Sequence, residues 1–243
     1  MDKQLSLFEE ENRQSDPPMP KRTAGPAVGE QKAGFAFKPI PAAPLGERLL
    51  SSRKYTHLKS LAELQAICLN CTECGLAAGR TKVVFGEGNP QAKILLVGEG
   101  PGKTEDQTGR PFVGQAGQLL DRILASVGLK REEVFIANVV KCRPPGNRLP
   151  TPEESLACRP YLDAQIFLIN PLIIICLGAL ATQTLIDPKG RITTLRGQWV
   201  KKEGYWLIPT YHPAALLRDP NKKRPVWEDF KEIRRRYDLL TSS

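Results

Sequence analysis

The sequence predicts an α/β domain of three layers, with helices on both faces of a central four-stranded parallel sheet. Two observations carry this. Short apolar runs at Ile94–Val97, Val134–Val140, Leu172–Leu177 and Trp206–Ile208 lack the in-out alternation of a sheet wetted on one side, and near-continuous apolar runs suit parallel strands covered on both faces. Between the runs lie segments with helical spacing of apolar residues, and strands alternating with helices build α/β/α layers.

Taken in order, residues 1–50 read as a disordered tail. Asp16–Arg22 and Phe37–Pro44 scatter prolines that block helix and sheet alike, and the stretch has no apolar period. The folded domain is expected over 58–240. Leu58, Leu61, Leu64 and Ile67 recur at helical spacing, which predicts an amphipathic helix over Leu58–Leu69. Helices over Ala116–Val127, Pro152–Asn170 and Ala179–Ile186 connect the strands, and Trp227–Leu239 closes the chain. Ligands of such folds sit beyond the carboxyl ends of the strands, so chemistry is sought there.

Composition narrows the function. The 243 residues are 25% charged and 41% hydrophobic, as in a soluble globular protein. Leu172–Leu177 is the longest apolar stretch, far short of the ~20 residues of a membrane helix. The opening Met1–Gln4 has no basic region leading into an apolar run. A monomer in the reducing cytoplasm is expected, where six cysteines read as metal ligands, catalytic groups or core residues rather than disulfides. Lys and Arg outnumber Asp and Glu 35 to 26, a net charge of +9, and this favours a polyanionic partner, nucleic acid first. Histidine chemistry has two places to live, His57 and His212.

The first strand runs into the Gly-rich turn Gly98–Thr104. A phosphate-binding loop needs Gly, four residues, then Gly-Lys-Ser/Thr; here the required first glycine falls on Val97, one residue short. The polar stretch Glu105–Gly117 reads either as a surface loop tucking Phe112 into the core or as a pocket wall with two carboxylates, Glu105 and Asp106, and a stacking ring, Phe112. The second strand brings Asn138 to its end, and an amide presenting donor and acceptor together suits the edge of an imide. The fourth brings His212, beside Pro213 and a helix start.

Cys176 lies inside an apolar run and reads as a core thiol. Cys71 and Cys74 form a C-x-x-C pair, and Cys142 and Cys158 flank a Pro-rich loop. Four thiolates suffice for a [4Fe–4S] cluster or a tetrahedral zinc. Cys68 extends the first pair to C-x-x-C-x-x-C, so spacing alone leaves the choice of ligands open, although Cys68 still belongs to the helical pattern.

Together, Cys71–Cys74, Phe85–Pro90, Gly98–Gly102, Gly109–Gly114, Asn138–Arg148 and Tyr211–Ala214 resemble the motifs of the family 4 (type 4) uracil-DNA glycosylases of bacteria and archaea, from about Leu64 to Tyr237. The resemblance implies a repair enzyme that flips uracil out of DNA and hydrolyses its N-glycosidic bond. It implies a [4Fe–4S] cluster on Cys71, Cys74, Cys142 and Cys158. Phe112 would stack on the base, Asn138 would read its O4/N3 edge, and Glu99, Gly100 and His212 would meet O2. Glu105 would exclude the methyl group of thymine. Gly100 stands where family 1 has a water-positioning aspartate, which leaves Glu99, Glu105 or a backbone carbonyl for that task. Two other readings of the same fold are a relative that captures DNA covalently through a loop histidine, absent from Cys142–Pro150, and a non-catalytic DNA-binding module.

Arg143, Arg148 and Arg218 are expected to meet phosphates, with the basic runs Lys222–Arg224 and Arg234–Arg236 adding to the field. Leu217, or its neighbour Leu216, is expected to fill the gap left by the flipped base. Gln4, Leu5, Leu7 and Phe8, in the opening Gln4–Phe8, resemble the pentapeptide with which bacterial repair proteins dock on the polymerase sliding clamp. A Pro-rich tether behind it would give it reach.

Overall fold

The computed structural model describes residues 49–242. The Gln4–Phe8 peptide and the tail up to residue 48 lie outside the described residues. The strands are β1 (Glu87–Gly88), β2 (Ile94–Gly98), β3 (Phe135–Asn138), β4 (Ile173–Leu177), β5 (Val200–Lys202) and β6 (Tyr205–Thr210). The α-helices are α1 (Leu61–Leu69), α2 (Leu76–Gly79), α3 (Lys103–Thr108), α4 (Gln115–Ser126), α5 (Pro152–Ile169), α6 (Ala179–Leu185), α7 (Ile192–Leu195), α8 (Pro213–Arg218) and α9 (Lys223–Thr241).

The strands form one six-stranded sheet in the order β1-β3-β2-β4-β6-β5. The four parallel strands expected from the apolar runs are its centre, β3-β2-β4-β6. Two antiparallel edge strands, β1 and β5, are added to them. Every residue of β2, β3 and β4 is buried, which is why these segments carry no alternation. β5 and β6 are a hairpin closed by Glu203 and Gly204, with φ of 47° and 92°, the left-handed pair that a two-residue hairpin turn needs.

Helix ends follow local chemistry. Ser60 caps α1, its side chain accepting the Glu63 N–H at 3.2 Å, so this helix starts three residues after the expected Leu58. Thr151 and Glu154 form a capping box at α5, and Asn170 ends that helix in the left-handed region.

Packing starts earlier than the expected residue 58. Leu49, assigned to the tail on composition, is buried with the core, as is Tyr55. The Tyr55 and Tyr161 rings stack at 4.9 Å. The Ser51 hydroxyl and Ser52 N–H both donate to the Asp163 carboxylate on α5, at 2.9 and 2.8 Å. Among the described residues no helix is long and apolar enough to cross a membrane.

From β2 the chain moves to β3 on one side, and β4 then returns to the other side of β2. The crevice at the carboxyl ends of β2 and β4 is therefore a topological switch point, where open α/β sheets bind ligands.

Candidate active site and cysteine cavity

A cleft of about 380 Å³ opens at this point, lined by Glu99 and Gly100 after β2, Glu105 from α3, Phe112 from the loop behind it, Asn138 at the end of β3, and His212 after β6. Pro144, Asn147 and Arg148 form one rim, and Ala214 and Arg218 another. Residues far apart in the chain converge here because each ends, or follows, a strand of the same parallel sheet.

Two glycines make the convergence possible. A Cβ on Gly98 would lie 2.5 Å from Asn138 Oδ1 and 2.5 Å from Phe112 Cζ. On Gly117, in α4, it would lie 2.0 Å from the Phe112 carbonyl carbon and oxygen. Phe112 is held at φ 51°, an uncommon conformation for a residue with a side chain. Its carbonyl oxygen accepts an Arg131 guanidinium N–H at 3.0 Å. Glu105 holds the next turn: its Oε1 accepts the N–H groups of Val113 and Gly114 at 2.9 and 2.8 Å, and its Oε2 accepts that of Gly102 at 3.1 Å. Phe112 is thus both buried and part of the cleft wall, which joins the two readings of its loop. Its ring faces that of His212 at 5.4 Å between centroids.

Asn138 is 1% exposed, and among the described residues its Oδ1 has no hydrogen-bond partner. A buried acceptor left open in a cleft is costly unless a ligand fills it. His212 Nδ1 accepts the Ala214 N–H at 3.2 Å as the cap of α8. This leaves the ring proton on Nε2. Burial, with Arg218 nearby, pulls the His212 pKa from 6.5 down to about 4, so the ring is neutral at physiological pH. Burial also raises the Glu99 carboxyl above the usual range, with Arg218 opposing the shift.

The unfolded chain protonates His212 near its ordinary value and the folded chain near the lowered one. Its contribution to stability is therefore complete above about pH 6.5 and lost as pH falls towards about 4. Unfolding free energies of the parent and His212→Asn, compared across that window, should show the parent losing the larger amount. Parallel curves would show that the ring is not held neutral.

The expected pair of pocket carboxylates is corrected by the structure. Asp106 is buried away from the cleft lining, where its Oδ1 accepts the Thr81 N–H at 2.9 Å. Arg148 reaches the rim, but its guanidinium forms a two-pronged ion pair with Glu154 at 2.8 and 2.7 Å, and Arg143 donates to Asn147 Oδ1 at 2.7 Å. In the C-terminal run, Arg234 pairs with Asp238 and Arg235 with Glu232, while Arg236 stacks over Trp199 and Trp206. These arginines serve packing as much as field. Leu216 is fully buried and Leu217 is 45% exposed, so Leu217 is the one of the two that faces solvent beside the cleft rim. His57 is exposed and does not line the cleft.

Cys68, Cys71, Cys74, Cys142 and Cys158 line a second cavity with Arg80, Lys141 and Tyr161. All are free thiols. The Lys141 N–H donates to Cys158 Sγ at 3.3 Å and Arg80 to Cys142 Sγ at 3.4 Å. Burial pushes the Cys158 thiol up to about 12. Among the described residues no three His, Cys, Asp or Glu side chains gather closely enough to hold one metal ion. Cys176 stands apart, fully buried in β4 as expected.

Comparison with known proteins decides the family. The profile described as the Uracil DNA glycosylase superfamily matches residues 85–231. The chain is 51% identical over 170 residues to a type-4 uracil-DNA glycosylase of Thermotoga maritima, covering 68% of this chain and 88% of the relative. The chain belongs to the type-4 uracil-DNA glycosylases. It is also 47% identical over 186 residues to such a glycosylase of Sulfurisphaera tokodaii, covering 73% and 84% of the two chains. A third, from Archaeoglobus fulgidus, is 43% identical over 187 residues, covering 72% and 92%. The family profile spans every cleft residue from Glu99 to Arg218 together with Cys142 and Cys158, whereas Cys71 and Cys74 precede it. Arg131 and Lys141 are absent from the expected site: an isolated arginine reads as solvent-facing charge, and Lys141, although inside the Asn138–Arg148 motif, shows in the sequence no sign of the carbonyl it meets.

Proposed function

We propose that this protein releases uracil from DNA by hydrolysing the N-glycosidic bond, leaving an abasic site in base excision repair. The observation that carries the reading is the pairing of Asn138, with its buried open acceptor, and neutral His212 around the Phe112 ring, in a chain related to type-4 uracil-DNA glycosylases.

A uracil flipped from the helix stacks on Phe112. Asn138 accepts N3–H and donates to O4; cytosine reverses both and is refused. As the bond from N1 to the sugar breaks, negative charge gathers on uracil O2, where the His212 Nε2–H and the N–H groups near Glu99 and Gly100 donate to it. Because His212 starts neutral, it stabilises this charge as a hydrogen-bond donor without transferring a proton. Glu105, with both oxygens engaged by backbone N–H groups, acts as a fixed wall beside C5. The water that attacks the sugar falls to Glu99, whose carboxylate has no such engagement.

Cys71, Cys74, Cys142 and Cys158 fit a [4Fe–4S] cluster: four buried or half-buried free thiols surround one cavity. The cluster would supply structural bracing. Cys142 leads directly into Pro144, Asn147 and Arg148 at the cleft rim, so the cavity anchors the loop that meets DNA. Leu217 fills the place of the flipped base, and the Gln4–Phe8 peptide docks this monomeric, cytoplasmic enzyme on the sliding clamp.

Incubation with a uracil-containing oligonucleotide tests the reading. An abasic site with free uracil supports it; a denaturant-resistant adduct favours covalent capture, and binding with neither product favours a non-catalytic module. DNA affinity should depend on salt. Phosphate contacts by Arg143, Arg148 and Arg218 alone imply a roughly 40-fold loss between about 50 and 200 mM salt, and Arg218→Ala should reduce the logarithmic slope by about one. A flat salt profile would contradict the proposed rim.

A further inference from the structure

Lys141 is only 1% exposed. Its ammonium donates to the Asn138 main-chain oxygen at 2.7 Å and to Gln165 Oε1 at 2.6 Å. Gln165, itself fully buried on α5, passes the connection on, its Nε2 donating to the Phe85 carbonyl at 2.8 Å. The same lysine lines the cysteine cavity, and its own N–H donates to Cys158 Sγ. It therefore stands between the residue that reads the base and the residues that bound the cavity. Burying an ammonium is costly, and a leucine or methionine would fill comparable space without that cost. What only the lysine supplies is a donor on the Asn138 carbonyl: just past the end of β3 the Val139 and Val140 N–H groups still donate to the Gly98 and Glu99 carbonyls at 2.9 and 3.1 Å, while the Asn138 carbonyl itself is met by the lysine.

We infer that Lys141 is a positioning residue for base recognition, pinning the backbone of Asn138 so that its amide meets the uracil edge, and linking that position to the cysteine cavity. The inference rests on the Asn138 reading above. Among the described residues the side chain of Asn138 has no hydrogen-bond partner for its Oδ1, and it takes its aim from its backbone and from the close approach to Gly98. Release the carbonyl, and the amide loses its register with N3–H and O4. Displacement by about 1 Å of a group that orients substrate costs on the order of 100-fold in rate.

The test is a double-mutant cycle between Lys141→Met and Asn138→Ala, read as single-turnover uracil release at saturating enzyme, with iron per chain and DNA affinity measured in parallel. Lys141→Met should lose about 100-fold in the parent and less than about 3-fold in the Asn138→Ala background, since a residue acting through another has little left to lose. Iron content and DNA affinity should stay near the parent values. An equal loss in both backgrounds, or a loss of iron that accompanies the loss of rate, would overturn the inference and make Lys141 a general structural support. Should Lys141→Met fail to fold, Gln165→Met removes the lysine's other anchor and must show the same dependence on Asn138; independence would overturn the inference equally. If Asn138→Ala itself releases uracil at the parent rate, the pocket reading fails, a result separable from any effect of Lys141.

Discussion

Replacing Asn138 or His212 with alanine lowers single-turnover uracil release by about 100- to 1000-fold each, the range for loss of one donor to a developing oxyanion. DNA affinity stays within several-fold, because phosphate contacts carry affinity while base contacts carry selection. The two losses differ in kind. Asn138→Ala removes recognition of the base edge and also reduces the preference for uracil over cytosine. His212→Ala removes charge stabilisation at O2 and leaves that preference in place. Wild-type rates in both variants would refute the assignment of the cleft. In the same assay Glu99→Gln should slow hydrolysis with unchanged DNA affinity, whereas a Glu105→Gln protein should show lower thermal stability, since Glu105 accepts three backbone N–H groups.

The sequence exposes the strand ends because the centre of the sheet is buried on both faces: the apolar runs of β2, β3, β4 and β6 give way to polar residues at their carboxyl ends, and these mark the cleft. Asn138, which ends β3, Glu99, which follows β2, and His212, which follows β6, are legible for that reason. The edge strands are not. β1 is two residues long, and β5 reads Val200-Lys201-Lys202, with one face in solvent and no apolar run to announce it. Its one signal is the Glu203-Gly204 turn. Charged residues are harder still, because their type does not reveal their partner. Asp106 and Glu105 are neighbours in the sequence, yet one holds the Thr81 turn and the other the Phe112 turn. Arg148 reads as a free phosphate ligand, and nothing in the sequence shows that at the rim its guanidinium also holds Glu154, six residues on. Leu216 and Leu217 are adjacent in a short helix, and only packing shows which is core.

Serine in place of Cys71, Cys74, Cys142 or Cys158 should strip iron from the protein and destabilise it, while Cys68→Ala and Cys176→Ala should retain iron. The anaerobically purified parent should carry about four irons per chain, with the broad visible absorbance of a thiolate-held cluster. Each serine variant should fall below about one. Binding energy of a metal group held by the folded chain alone is folding energy. A loss of several kcal/mol in a domain of this size lowers the melting temperature by roughly 10 °C. Cys68 makes the experiment discriminating. It lines the same cavity as the four others and is more buried than any of them, so proximity alone does not exclude it. Its place is within α1, where the regular helical backbone fixes its direction, whereas Cys71 and Cys74 sit in the turn between α1 and α2. Loss of iron from Cys68→Ala with retention in Cys71→Ser would exchange their roles. Stoichiometric zinc without iron in the anaerobic parent would remove the cluster altogether and leave the four thiols as a structural zinc site bracing the same loop.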